Sequence, residues 1–257
     1  MVKRSSGPIS RYLHRRVLRR WEAIAQRAKD VPLSDLRHVR MSALALRQVL
    51  DQVVFVADSR LTLPLIGSNA FQKPLHSDWA WRPELWRGPI FPPGKAAAEN
   101  KARFGGEVKL FHDCQTSELT VRQLRNSRES DLAPFGLRMD VFNFDGSFLS
   151  LAIQLPDDAV RGLQRRHVIR VNTVVETEKP LEIFVRLNVR HGPNTEQLVR
   201  ELPLGEDDVM AEFDLAYTKL NEKRVESAWV DVIFERPENN QVILRDVTFS
   251  RRPRAEL

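Results

Sequence analysis

Leu181-Glu182-Ile183-Phe184-Val185-Arg186-Leu187-Asn188-Val189-Arg190-His191 is the stretch whose reading decides the fold. Leu181, Ile183, Val185, Leu187 and Val189 alternate strictly with Glu182, Phe184, Arg186, Asn188 and Arg190. Side chains of a strand point to opposite faces with period two, so this segment has one wholly aliphatic face. Its other face aligns arginine, asparagine and arginine, groups that hydrogen-bond sugars, phosphates and carboxylates. The segment therefore predicts a sheet buried on one side, with a candidate ligand surface on the other.

The same period continues almost unbroken from about residue 104. It predicts strands at 107–112, 117–124, 136–144, 147–155, 167–176, 181–191, 196–202, 209–217, 227–236 and 241–250. Turn signals fall between them at Asp145-Gly146, Glu178-Lys179-Pro180, Gly192-Pro193-Asn194, Gly205-Glu206-Asp207 and Pro237-Glu238-Asn239-Asn240. Pro156 through Gly162 reads as one helical turn closed by glycine. Strands separated by turns rather than by helices predict a mainly β fold, an antiparallel jelly-roll β-sandwich spanning 106–257. There is no internal repeat and no low-complexity tract.

Upstream the period changes. Residues 8–29 predict a helix, because Pro8 suits a first turn and Ile9, Leu13, Val17, Trp21 and Ile24 recur at helical spacing. Arg11, Arg15 and Arg19 fall on its other side. Ser34 as N-cap, followed by Asp35, predicts a second helix to about Asp58. Leu46, Val49, Leu50, Val53 and Val56 form its apolar stripe, and Asp30-Val31-Pro32 breaks the two helices apart. The expectation is a basic α-helical hairpin over 1–60. Residues 61–105 then hold Pro64, Pro74, Pro83, Pro89, Pro92 and Pro93, which forbid long regular structure. They also hold Trp79, Trp81 and Trp86 with Phe71 and Phe91. Disordered linkers are poor in aromatics, so this is read as an ordered, extended arm. Its rings dock either on the protein's own sheet or on a partner.

A chain of 257 residues can bury a substantial core. Its net charge of +6 is local: Lys3, Arg4, Arg11, Arg15, Arg16, Arg19 and Arg20 crowd the first 20 residues without an acid, and the remainder is close to neutral. Basicity so confined does not by itself point to nucleic acid. The single Cys114 excludes a disulfide scaffold. No apolar run approaches the ~18–20 residues of a membrane helix, and the N-terminus lacks the apolar core of a signal peptide. A cytoplasmic location is the expectation.

The closing strand pair, Ala228-Trp229-Val230-Asp231-Val232-Ile233-Phe234 and Asn240-Gln241-Val242-Ile243-Leu244-Arg245-Asp246-Val247-Thr248-Phe249, carries a resemblance. With the strand count and the polar face above, the block from Gly105 to Pro253 resembles jelly-roll carbohydrate-binding and galactose-binding-like modules. As a whole the chain looks like a member of a bacterial family of unknown function, through Phe111-His112-Asp113-Cys114, Phe142-Asn143-Phe144-Asp145-Gly146-Ser147-Phe148-Leu149-Ser150 and Arg186-Leu187-Asn188-Val189-Arg190-His191-Gly192-Pro193-Asn194. The family implies no established activity. The jelly-roll likeness implies a fold, and glycan binding only by analogy.

On 167–176, Ile169, Val171, Thr173 and Val175 are expected inward, leaving Arg170 and Asn172 on the other face. On 227–236, Val230, Val232 and Phe234 are expected inward, leaving Trp229, Asp231 and Glu235. If these strands share a sheet with 181–191, then Arg170, Asn172, Arg186, Asn188, Arg190, Trp229 and Asp231 form one ligand-binding surface. An aromatic ring beside planar hydrogen-bonding groups suits a sugar, whose C–H face stacks while its hydroxyls need donors and acceptors. The competing reading is a solvated or arm-covered face of cross-strand ion pairs.

Catalytic signals are absent from the sequence. His112 and Cys114 share a strand face, but no cysteine-hydrolase signature surrounds them, and an ordinary buried cysteine is the reading. His76, Asp78, His112, Asp113, His167 and His191 are scattered, without metal-ligand spacing. Asp231 and Glu235 lie roughly 13 Å apart on one strand, too far for a glycosidase pair, and Asp246 on the neighbouring strand is the acid that could come nearer to Asp231. No catalytic residue, metal or cofactor is expected. The reading is a non-catalytic binding module, carbohydrate-binding through its polar sheet face, suited to a sugar-binding head on a cell surface or particle. Its alternative is a structural or interaction protein that binds a protein partner or an anionic membrane surface through residues 9–29. A polysaccharide-acting enzyme comes third, and nucleic acid last.

Overall fold

The computed structural model describes residues 8–61, 73–128, 130–203 and 208–254. Lys3 and Arg4 of the basic tail, Pro64 and Phe71 of the arm, and the Gly205-Glu206-Asp207 turn lie outside the described residues, as do the side chains of Ile9, Arg11 and Val56. The chain divides into two compact units, Met1–Asp51 and Gln52–Leu257.

Helix α1 spans Pro8–Arg27 and α2 spans Leu33–Leu61. The Pro32 carbonyl accepts from the Asp35 and Leu36 N–H groups, so α2 begins at Leu33 and Pro32 is its cap, two residues before the expected Ser34 cap. Leu13 and Val17 of α1 and Leu46, Val49, Leu50 and Val53 of α2 are exposed. No helix among the described residues is long and apolar enough to cross a membrane.

The second unit opens with four short elements: β1 (Trp79–Trp81), α3 (Glu84–Arg87), β2 (Gly94–Lys95) and β3 (Arg103–Phe104). The longer strands follow as β4 (Val108–His112), β5 (Leu119–Arg125), β6 (Phe135–Val141) and β7 (Leu149–Gln154). After the helical turn α4 (Asp157–Val160) come β8 (His167–Thr177), β9 (Ile183–His191), β10 (Asn194–Glu201) and β11 (Asp208–Asp214). Two 3₁₀ turns precede β12 (Val225–Phe234) and β13 (Asn240–Pro253).

Each strand predicted from periodicity is present, its ends shifted by a few residues. At 209–217 the strand ends three residues early, where the Asp214 carboxylate accepts from the Ala216 N–H and turns the chain out of the strand. Proline density concealed β1, β2, β3 and α3, which are too short to show a period.

The first sheet has the order β11-β8-β13-β6-β5-β2, and β1 pairs with the C-terminal part of β13. The second sheet has the order β10-β9-β12-β7-β4-β3. All pairings are antiparallel, and from β7 onward most connections pass from one sheet to the other, which is the jelly-roll arrangement. Gly192, at φ 61°, supplies the left-handed residue of the β9–β10 turn. The two inner faces share one core. In β9 the aliphatic face predicted from sequence is that core: Ile183, Val185, Leu187 and Val189 are 0% exposed. Burying each such side chain contributes about 1.5–3 kcal/mol. Because the core fixes which face is inside, it also fixes which residues are displayed outside.

Candidate functional site

Strand register decides which outward side chains meet. Across the second sheet three ranks run perpendicular to the strands. The first aligns Gln154 on β7, Trp229 on β12, Asn188 on β9 and Gln197 on β10. The second aligns Lys109 on β4, Ala152, Asp231, Arg186 and Val199. The third aligns Phe111, Ser150, Ile233 and Phe184. Neighbouring strands stand ~4.8 Å apart and successive ranks ~7 Å, so the surface is an extended trough. It forms a groove of ≈ 660 Å³ lined by members of all three ranks, with Glu107 and Phe148 at its margin.

The groove floor is held by a polar network across three strands. Arg186 Nε donates to Asp231 Oδ2 at 2.9 Å, and Asn188 Nδ2 donates to the same oxygen at 2.9 Å. Gln197 Nε2 donates to Asn188 Oδ1 at 2.9 Å. Asp231 is 5% exposed and Asn188 0%, so the network is rigid and largely desolvated. Asp231 Oδ1 accepts no hydrogen bond among the described residues, and Lys109 makes no ion pair there. Burial pushes the Glu107 carboxyl up, against the Glu84 N–H it accepts and the nearby Arg87. The groove thus presents an aromatic ring, amides, a guanidinium, an ammonium and carboxyl oxygens along one surface. Together they can stack one face of a ligand while donating to and accepting from its edge.

Of the residues expected to share one surface, the structure brings Arg186, Asn188, Trp229 and Asp231 together. Arg190 is on the same sheet but pairs with Glu226 at 3.1 Å, away from the groove lining. Glu235 lies beyond the end of β12. Arg170 and Asn172 are corrected: β8 belongs to the first sheet, between β11 and β13, so both lie on the opposite outer face. There Arg170 Nε donates to Glu212 at 2.8 Å, and Asn172 lines a small hollow with Asp208 and Thr248. Asp246 is likewise on the first sheet, against Arg82, and cannot approach Asp231. Gln154, Gln197, Lys109, Phe111, Phe148, Ser150 and Glu107 were not assigned to the surface from the sequence. Strand parity marks the outward ones, but only pairing shows that they are neighbours.

The described part of the arm docks on the protein's own sheets, first on the first sheet and at its end on the second, as β3. β1 pairs with β13, the Trp81 ring meets Phe249 in a tilted contact with centroids 5.6 Å apart, and Trp86 Nε1 donates to the Leu244 carbonyl at 3.0 Å. No residue of 73–106 lines the groove.

The remaining candidates have structural partners. His112 Nε2 meets the Ala98 carbonyl at 2.9 Å, and its Nδ1 accepts the Cys114 N–H at 3.2 Å. Neither ring nitrogen is available to activate the thiol, and burial pushes that thiol up. His167 packs against Asp78 at 3.6 Å and His191 against Glu196 at 3.6 Å. Among the described residues, no group of three or more His, Cys, Asp or Glu could hold a metal ion.

The chain belongs to a family of unknown function (DUF6478), whose profile matches residues 1–257. No curated protein sequence matches it. Among solved structures it is similar to the enzymatically active domain of bacteriophage CBA120 tailspike protein 4, at 8% identity and TM-score 0.40, covering 56% of this chain and 19% of that one. It thus spans about a fifth of the tailspike chain. It is also similar to the family 11 carbohydrate-binding module of Clostridium thermocellum, in complex with a mixed-linked tetrasaccharide, at 10% identity and TM-score 0.39, covering 62% and 96% of the two chains. A third is the CBM22-1 xylan-binding domain from Paenibacillus barcinonensis Xyn10C, at 10% identity and TM-score 0.35, covering 63% and 94%.

Proposed function

We propose that this protein is a non-catalytic carbohydrate-binding module that holds a glycan in the groove of its second sheet. The observation that carries the reading is the first rank: the Trp229 indole stands between Gln154 and Asn188, with Arg186 and Asp231 one rank away. A sugar offers an apolar C–H face to an indole and hydroxyls to amides, carboxylates and guanidinium. The Asp231 carboxylate is fixed on Oδ2 by Arg186 and Asn188, which orients Oδ1 as an acceptor. A groove of ≈ 660 Å³ is of the size that encloses a small ligand. Fixed donors and acceptors bind without a large entropy loss on the protein side.

Glycan-array screening followed by calorimetry tests this. Wild-type protein is expected to bind, and Trp229→Ala to weaken the bound glycan about 30-fold or more, with Arg186→Ala less severe. No binding across the array, or binding indifferent to both changes, overturns the reading. A second reading, hydrolysis of a polysaccharide, draws on one feature: Glu107, pushed up by burial, and Asp231 line the same groove. The appearance of cleaved products in the same incubations decides between the two.

A further inference from the structure

The ends of the groove differ in chemistry. Its first rank is polar apart from the Trp229 ring, whereas its third rank contributes Phe111, Ser150 and Ile233, bordered by Phe148. Ser150 is 6% exposed, and its hydroxyl has no hydrogen-bond partner among the described residues. Phe111 and Ile233 stand directly opposite it on either side.

A buried hydroxyl without a partner costs about 1–3 kcal/mol, and native structures rarely retain one without reason. On one strand of the groove, Ser150 is followed outward by Ala152, whose short side chain leaves room above the floor. The ligand group suited to this end is one acceptor oxygen carried on an otherwise apolar group. A bare sugar ring does not match, because most of its hydroxyls would find no partner among Phe111, Phe148 and Ile233. An acyl substituent matches on both counts: its carbonyl oxygen accepts one hydrogen bond and its alkyl part packs on the rings.

We propose that the groove selects an N- or O-acylated glycan, with the acyl carbonyl accepting from Ser150 Oγ–H. The inference rests on the carbohydrate reading of the same groove. The sugar ring lies on Trp229, and the acyl group reaches the Phe111–Ile233 end. A serine χ1 has three staggered wells, so the hydroxyl re-aims at an incoming carbonyl by one rotation.

The test is calorimetry on matched glycans that differ in acylation, chitotetraose against cellotetraose and O-acetylated against de-acetylated xylan oligomers. The acylated member is expected to bind about tenfold more tightly. Ser150→Ala, and Ser150→Cys as a variant closer in volume with a weak donor, are expected to reduce that preference to within about twofold. The readout for each variant is the ratio of the two affinities, acylated over unacylated, rather than either affinity alone. Equal binding of both members overturns the acyl inference and leaves the glycan reading standing. Preference that survives both Ser150 variants removes Ser150 from the role. Failure of every glycan to bind overturns the inference together with the reading beneath it.

Discussion

The sandwich has two outer faces built from similar residue types, and their charged groups are paired to different extents. On the first sheet most of the partly buried arginines close on carboxylates. Arg170 and Arg252 share Glu212, Arg245 and Arg128 share Glu176, and Arg138 meets Asp140 at 2.7 Å. The arm seals part of the same sheet, with Arg82 bidentate on Asp246 at 2.7 and 2.9 Å. On the second sheet the pairing is incomplete: Lys109 is without an ion pair, Asp231 keeps one oxygen unbonded and Ser150 one hydroxyl, among the described residues. Arginine and aspartate in a sheet face are therefore no sign of a binding site by themselves. The groove combines hydrogen-bonding capacity left over at Lys109, Asp231 and Ser150 with an aromatic ring, Trp229, on one surface.

The strongest way to break this contrast is at the sealed face. The side chain of Arg82 is 0% exposed and that of Asp246 10%, so Arg82→Ala leaves a buried carboxylate without its countercharge. The expected loss is about 3–5 kcal/mol, read as a lower midpoint in denaturant titration. A loss below about 1 kcal/mol would mean that the arm is a decoration on the sheet rather than part of its wall.

A smaller effect is expected from pH. His167 accepts the Gln164 N–H at Nδ1, so its proton sits on Nε2, toward Asp78. Burial holds its pKa below the usual histidine value, reinforced by Arg251 and Arg166 and opposed by Asp78 and Glu222. The unfolded chain takes up this proton near pH ~6.5 and the folded chain only at lower pH. The folded state then binds fewer protons, so its stability is present above that value and is lost as pH falls through the folded pKa. Thermal melts from pH 8 to 5 should show the decline, and His167→Gln should flatten it. An unchanged slope in that variant removes His167 as the cause.

The smallest effect sharpens the comparison most directly. Arg170→Ala and Asn172→Ala lie on the face away from the groove and should leave glycan affinity within about twofold. Their stability cost should stay below about 1 kcal/mol, as for partly exposed ion pairs. A large loss of binding in either variant would contradict the assignment of the site to the second sheet.

Much of the fold was legible in the sequence because a half-buried strand writes its two faces in alternate residues. The alternation in 181–191, 167–176 and 227–236 correctly separated inward from outward side chains. The arm was legible as ordered from its tryptophans, though not its short strand and helix, whose three or four residues carry no period. The candidate site was legible in part. That Arg186, Asn188, Trp229 and Asp231 point away from the core was readable because each alternates with aliphatic residues. Arg170 and Asn172 have the same local signature, and nothing local distinguishes them.

The sequence by itself determined which residues of each strand face water, because hydrophobic burial acts on the alternation residue by residue. Only the tertiary structure decided which strands are neighbours. Hydrogen bonds between strands are made by backbone groups that every residue carries, so pairing leaves no mark on side-chain type. That pairing placed Asp231 opposite Arg186 and Trp229 opposite Asn188, and it put Arg170 on the far side of the core.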